Sequence, residues 1–221
     1  MVFPSPVSAV LFDMDGLLLD TERLFVSALI AAVRDVGYEM DETYALSMIG
    51  VAGKESEAMI RSYFGSGFPM EAFDGAVDLR RREFLAPGIP LKPGVGELLD
   101  FLDRRGTPRA IATSRSRESA ERHLGSTGLL HRFTALVTRE DVLRAKPHPD
   151  PYLKAAAVLG VQPARCVVLE DSHFGIRAAH AAGAMPVMVP DLLAATEEMA
   201  ALCVAVVDDL HAVRVLLAQA F

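Results

Sequence analysis

Four short segments hold residue types that can do chemistry. Asp13-Met14-Asp15-Gly16 follows the apolar run VSAVLF at 7–12. In an extended chain residues i and i+2 point the same way, so the two carboxylates share a side while Met14 turns inward. Gly16 lets the chain bend away. Such a pair can make a cap and a turn, or it can hold a cation. Glu170-Asp171-Ser172 follows a second run, CVVL at 166–169. If the two runs are neighbours, three or four carboxylates meet at one edge, and like charges that close repel strongly without a cation. An all-oxygen set of this kind suits Mg²⁺ rather than zinc. Thr113-Ser114 ends the run RAIAT, where a hydroxyl and free amides can bind a phosphoryl oxygen. Capping of the next helix by Thr113, Ser114 or Ser116 is the plainer use. Lys146, in AKPHPD at 145–150, precedes a proline and is therefore held extended. It can aim an ammonium into a site, or simply be solvated on a loop.

The elements that must position these groups read as strands alternating with helices. Val7–Phe12, Arg109–Thr113, Phe133–Thr138, Cys166–Leu169, Pro186–Val189 and Val204–Val207 are short and apolar throughout. That pattern suits strands buried on both faces of a parallel sheet. Helix signals open near 94, 117, 151 and 175, and the alternation predicts an α/β doubly wound fold. Residues 21–87 break the rhythm. Glu22–Val36, 53–64 and 69–86 read as helices, and apolar residues from Leu24 to Val36 fall at helical spacing. The expected organisation is a core of 1–20 and 88–221 with a helical insert, 21–87, after the first strand. APGIPLKP at 86–93 looks like a hinge. The insert leaves the carboxyl end of a strand, where open α/β sheets bind ligands, so a lid is its expected use.

Composition narrows the partners. Of 221 residues, 51% are hydrophobic and 23% charged, which excludes disorder and fibrous classes. With 22 basic against 29 acidic residues (net −7), neither nucleic acid nor an anionic membrane is expected as partner. Any bound phosphate must be drawn by a local site. Cys166 and Cys203 form no metal-ligand spacing, and reduced, buried thiols are expected. No apolar run approaches 18 residues, and a soluble, cytoplasmic monomer is the expectation.

The order of the four segments carries a family resemblance. FDMDGLLLDTE (12–22), IATSRS (111–116), AKPHPDPY (145–152) and VVLEDSHFGIRAAHAAGA (167–184) together resemble the haloacid dehalogenase (HAD) superfamily. The likeness is to its β-phosphoglucomutase-like sugar phosphatases with a helical cap. The resemblance implies a central first strand and a phosphoaspartyl mechanism on a small phosphorylated metabolite. It assigns Asp13 as nucleophile and Asp15 as acid and base. It makes Asp13, the Asp15 backbone carbonyl and Asp171 the Mg²⁺ ligands, with Glu170 in support through water. Thr113 and Lys146 would screen the phosphoryl charge, and Ser114 would help bind it.

The cap departs from the mutase pattern. Phe25 stands where mutase members place a histidine, and Gly50-Val51-Ala52-Gly53-Lys54 offers lysine one step late for their arginine. Both departures favour a phosphatase over a β-phosphoglucomutase-type isomerase, with Lys54 kept as a substrate-binding candidate. Arg115 and Arg117 could reach the substrate's polar end or lie solvated at a helix start. His173 could line the rim, and Arg80-Arg81-Arg82-Glu83 reads as a solvated helix face. A haloacid dehalogenase would need neither Asp15 nor the acidic pair, and a phospho-accepting receiver would lack the insert.

Overall fold

Ala9–Phe12 forms β1, and its residues alternate between two apolar layers. Val10 and Phe12 face one layer; Ala9 and Leu11 face the other. All four are fully buried, as a strand covered on both faces requires. This computed structural model describes residues 3–49, 51 and 54–220, the side chains of residues 54 and 55 excepted.

From β1 the chain runs through α1 (Thr21–Asp35), α2 (Glu42–Ser47), α3 (Lys54–Phe64), α4 (Met70–Leu85) and α5 (Val95–Arg105). It continues as β2 (Arg109–Ala112), α6 (Arg117–Ser126), β3 (Ala135–Val137), α7 (Asp150–Val158) and β4 (Cys166–Glu170). It ends with α8 (His173–Ala181), β5 (Met185–Met188), α9 (Glu197–Leu202), β6 (Ala205–Val206) and α10 (Leu210–Ala218). The six strands form one parallel sheet in the order β3-β2-β1-β4-β5-β6, a doubly wound α/β arrangement. Leu98, Leu99 and Leu102 of α5 pack on one face with Leu210, Val213 and Leu217 of α10. Tyr152, Ala155 and Ala156 of α7 and Ala178 and Ala179 of α8 cover the other. Each large apolar side chain buried this way stabilises the fold by roughly 1.5–3 kcal/mol.

β1, β2, β3 and β6 are shorter than the apolar runs, with β6 keeping only Ala205–Val206 of 204–207, whereas β4 extends one residue further to Glu170 and β5 is shifted one residue earlier. α2, α9 and α10 had no counterpart in the expectation. Each starts at a side-chain cap, Asp41, Thr196 and Asp209, which accepts from the amide three residues on. The helix expected to open at Gly175 starts two residues earlier, since Ser172 caps it and its Oγ accepts from Gly175 N at 3.0 Å. Cys166 is a buried free thiol and Cys203 a half-buried one.

The chain forms two compact units, Met1–Asp20 with Ile89–Phe221, and Thr21–Gly88. In the second, α1 packs on α4, and Arg80 ties them with a two-pronged ion pair to Asp35 at 2.6 and 2.7 Å. Arg80 makes this pair on the exposed face of α4, and Arg81 stacks over the Phe25 ring at 5.9 Å. Tyr38, Phe64, Phe68 and Phe73 form a chain of ring contacts there. In the first unit, the segments that leave for and return from the insert are zipped together. Leu19 bridges Leu91, Asp20 N donates to Pro90 O at 2.9 Å, and Lys92 N donates to Leu18 O at 3.0 Å.

Candidate active site

Strand register brings the predicted groups together. Phe12 pairs with Leu169 on one side and Ile111 on the other, so the segments after β1, β2 and β4 end side by side. Asp13 N extends the ladder to Leu169 O at 3.0 Å, and Thr113 N extends it to Val137 O at 2.9 Å. Asp13, Glu170 and Asp171 each offer an oxygen within 4.8 Å of the others. All three are buried.

Lys146 enters this cluster from its proline-rich loop. Its Nζ lies 2.5 Å from Asp13 Oδ1 and 2.6 Å from Glu170 Oε1, with its side chain 6% exposed. The solvated-loop alternative is therefore wrong for Lys146. Glu170 is held on both oxygens. Oε1 also accepts from Tyr152 Oη at 2.7 Å, and Oε2 accepts from Ser172 N at 3.0 Å and Ser172 Oγ at 2.9 Å. Lys146 also sits 4.9 Å from the centre of the Tyr152 ring. Glu170 is thus the anchor of Lys146, with both of its oxygens engaged.

Two glycines make room for these acids. A Cβ on Gly16 would lie 2.3 Å from Asp171 Oδ2, and the residue has φ +78°, so both space and conformation demand glycine. A Cβ on Gly175 would lie 1.6 Å from Glu170 Oε1.

The electrostatics follow from the count of charges. Three carboxylates are crowded together out of water's reach, and Lys146 contacts two of them, Asp13 and Glu170. Burial pushes Asp13 up to about 7 against the pull of Lys146, with Glu170 and Asp15 adding to the rise. Burial alone would lower Lys146, yet Asp13 and Glu170 hold it well above its ordinary value. Glu170 is driven up by burial, but Lys146 and the Ser172 and Tyr152 hydrogen bonds leave it below the usual carboxylate range. An oxygen-only set of three clustered carboxylates fits a divalent hard cation. Asp13, Glu170 and Asp171 are the carboxylates close enough together to hold it.

The other candidates separate. Thr113 is buried and its Oγ1 accepts from Arg115 N at 3.1 Å; Ser116 is the cap of α6, so capping does not explain Thr113. Ser114 is exposed beside it. The Asp15 carboxylate accepts from Arg115 Nε at 2.6 Å. Arg117 turns to the surface, bonding Asp141 at 2.6 Å, and His173 Nε2 meets Ala194 O at 2.9 Å. The Lys54 side chain, with Gly50, Ala52 and Gly53, lies outside the described residues. Sequence reasoning did not single out Tyr152. Its one signal is a hydroxyl on an otherwise apolar helix face, which demands a partner when buried.

Known proteins resemble this chain along most of its length. The chain is 34% identical over 197 residues to protein CbbY of Rhodobacter capsulatus, covering 83% of this chain and 86% of that one. It is 31% identical over 177 residues to the phosphorylated carbohydrates phosphatase of Thermotoga maritima, covering 80% and 82%. The crystal structure of a HAD family hydrolase from Deinococcus radiodurans R1, with bound phosphate and sodium, matches with a TM-score of 0.84 at 29% identity, covering 97% and 96%. The sequence model of the haloacid dehalogenase-like hydrolases matches residues 10–189. A match that starts inside β1, ends just past β5 and contains all four reactive segments makes this chain a member of the haloacid dehalogenase-like hydrolase family.

Proposed function

We propose that the chain is a Mg²⁺-dependent phosphomonoester hydrolase of small phosphorylated metabolites, sugar phosphates above all, working through an aspartyl phosphate on Asp13. The observation that carries this reading is the buried Asp13 carboxylate, 2.5 Å from Lys146 inside an acidic cluster at the end of the central strand. The substrate class is supported by the Thermotoga maritima relative, which is named for phosphorylated carbohydrates. Among the described residues no helix is long and apolar enough to cross a membrane.

An Asp13 oxygen attacks phosphorus in line with the leaving oxygen, forming one P–O bond as the ester P–O bond breaks. Asp15 gives its proton to the departing alkoxide, then takes one from the water that attacks the aspartyl phosphate. Release of phosphate restores the Asp13 carboxylate. Lys146 lowers the repulsion between carboxylate and phosphate, and the Thr113 hydroxyl with Ser114 holds phosphoryl oxygens as charge spreads over them. A bound Mg²⁺ supplies further charge neutralisation at the phosphoryl group. In this reading the inserted helical unit selects the substrate, with Lys54 a candidate contact.

The test is phosphate release from a panel of sugar phosphates with Mg²⁺, comparing wild type with Asp13→Asn. Turnover by the wild type and a loss of about 10³-fold or more in the variant are expected. An Asp13→Asn protein that keeps its turnover sinks the nucleophile assignment. Interconversion of glucose 1- and 6-phosphates would favour an isomerase instead.

A further inference from the structure

Arg115 brings a guanidinium onto a carboxylate of the proposed machinery, and its placement is over-determined. Its amide donates to Thr113 Oγ1 at 3.1 Å and its carbonyl accepts from Arg139 N at 3.2 Å, so both sides of its peptide are fixed to the ends of β2 and β3. Its Nε donates to Asp15 Oδ2 at 2.6 Å across the gap between the β2 and β1 ends, with the two side chains 23% and 19% exposed. Charge-assisted bonds of this length are the strong ones.

We infer that Arg115 is a positioning residue that fixes the Asp15 carboxylate for proton transfer, an inference that rests on the phosphatase reading above. Lys146 spends its ammonium on Asp13 and Glu170, whereas the guanidinium of Arg115 is on Asp15 itself. A carboxylate that must meet first a leaving oxygen and then a water needs one oxygen tethered and the other presented. A guanidinium suits the tether, because it donates in a fixed planar geometry and does not itself give up a proton. Misplacement of a reacting group by an ångström can cost about a hundredfold in rate, which sets the scale of what the tether protects. The neighbouring Arg117 does not share this role, since its guanidinium is committed to Asp141 and Glu121.

The experiment is a double-mutant cycle read as kcat and KM, on a hexose phosphate that wild type hydrolyses and Asp13→Asn does not. Arg115→Met should lower kcat about tenfold with KM within about twofold, and Arg115→Lys should recover part of the loss. In an Asp15→Asn background, Arg115→Met should change kcat by less than about twofold, because there is no acid left to orient. A rise in KM at constant kcat would make Arg115 a substrate contact and overturn the inference. So would an equal loss in the Asp15→Asn background, or no loss at all. If Asp13→Asn keeps full turnover, the phosphatase reading itself falls and takes this role with it, a result distinct from the other three.

Discussion

Gly175→Ala puts two known effects in direct opposition, and the structure says which wins. Gly175 lies within α8 at an ordinary negative φ, so alanine is the better helix former there by about 1 kcal/mol. The added Cβ, however, would stand 1.6 Å from Glu170 Oε1 and 2.3 Å from Oε2, far inside contact distance. The carboxylate must leave, and it is fully buried and bonded to Lys146, Tyr152 and Ser172. Breaking a buried ion pair costs about 3–5 kcal/mol. The net expectation is a loss of about 2–4 kcal/mol, with phosphatase activity falling as Lys146 loses its anchor. Gly125→Ala in α6 is the matched control, since nothing lies within 4 Å of its Cβ position and only the helical gain remains. Urea unfolding of the two variants beside wild type reads both signs. A Gly175→Ala protein within 1 kcal/mol of wild type would refute the claim that glycine is there to seat Glu170.

Two further expectations concern the same cluster. Asp13, pushed up to about 7 by burial, must give up its proton to serve as a cation ligand, so Mg²⁺ binding releases protons at and below neutrality. Affinity measured by calorimetry should rise with pH, by up to about tenfold per unit below 7, and level off above; equal affinities at pH 5.5 and 7.5 would contradict this. Tyr152→Phe keeps the ring and removes only the donor to Glu170, which should cost about 1.5–3 kcal/mol in thermal or urea unfolding, whereas an unchanged midpoint would deny the hydrogen bond its role.

Much of the sheet was legible because a strand buried on both faces must be apolar along its buried length, and 9–12, 110–112 and 166–169 are. The acidic pairs were legible as candidates because they sit where those runs stop. What the sequence left open were the partners. Lys146 meets Asp13 across 133 positions, and Arg115 meets Asp15 across 100, so no local pattern separates them from solvated residues. Tyr152 reads as one more apolar residue of α7, since the destination of its hydroxyl is a tertiary fact. The short helices α2 and α9 escaped because six residues cannot display a periodicity; only their caps announce them.

The paired segments at Leu18–Asp20 and Pro90–Lys92 give the insertion a single doorway. Whatever lies between Thr21 and Gly88 leaves and rejoins the sheet at one spot, and to the sheet it is a hairpin loop of arbitrary content. The two apolar layers flanking the strands draw no described residue from that stretch. Lengthening a closed loop costs only about 0.6 kcal/mol per doubling. The helical unit is therefore an interchangeable cassette. It can be lengthened, rebuilt or traded for another while the stability of the sheet, and the chemistry seated at its strand ends, stays nearly constant.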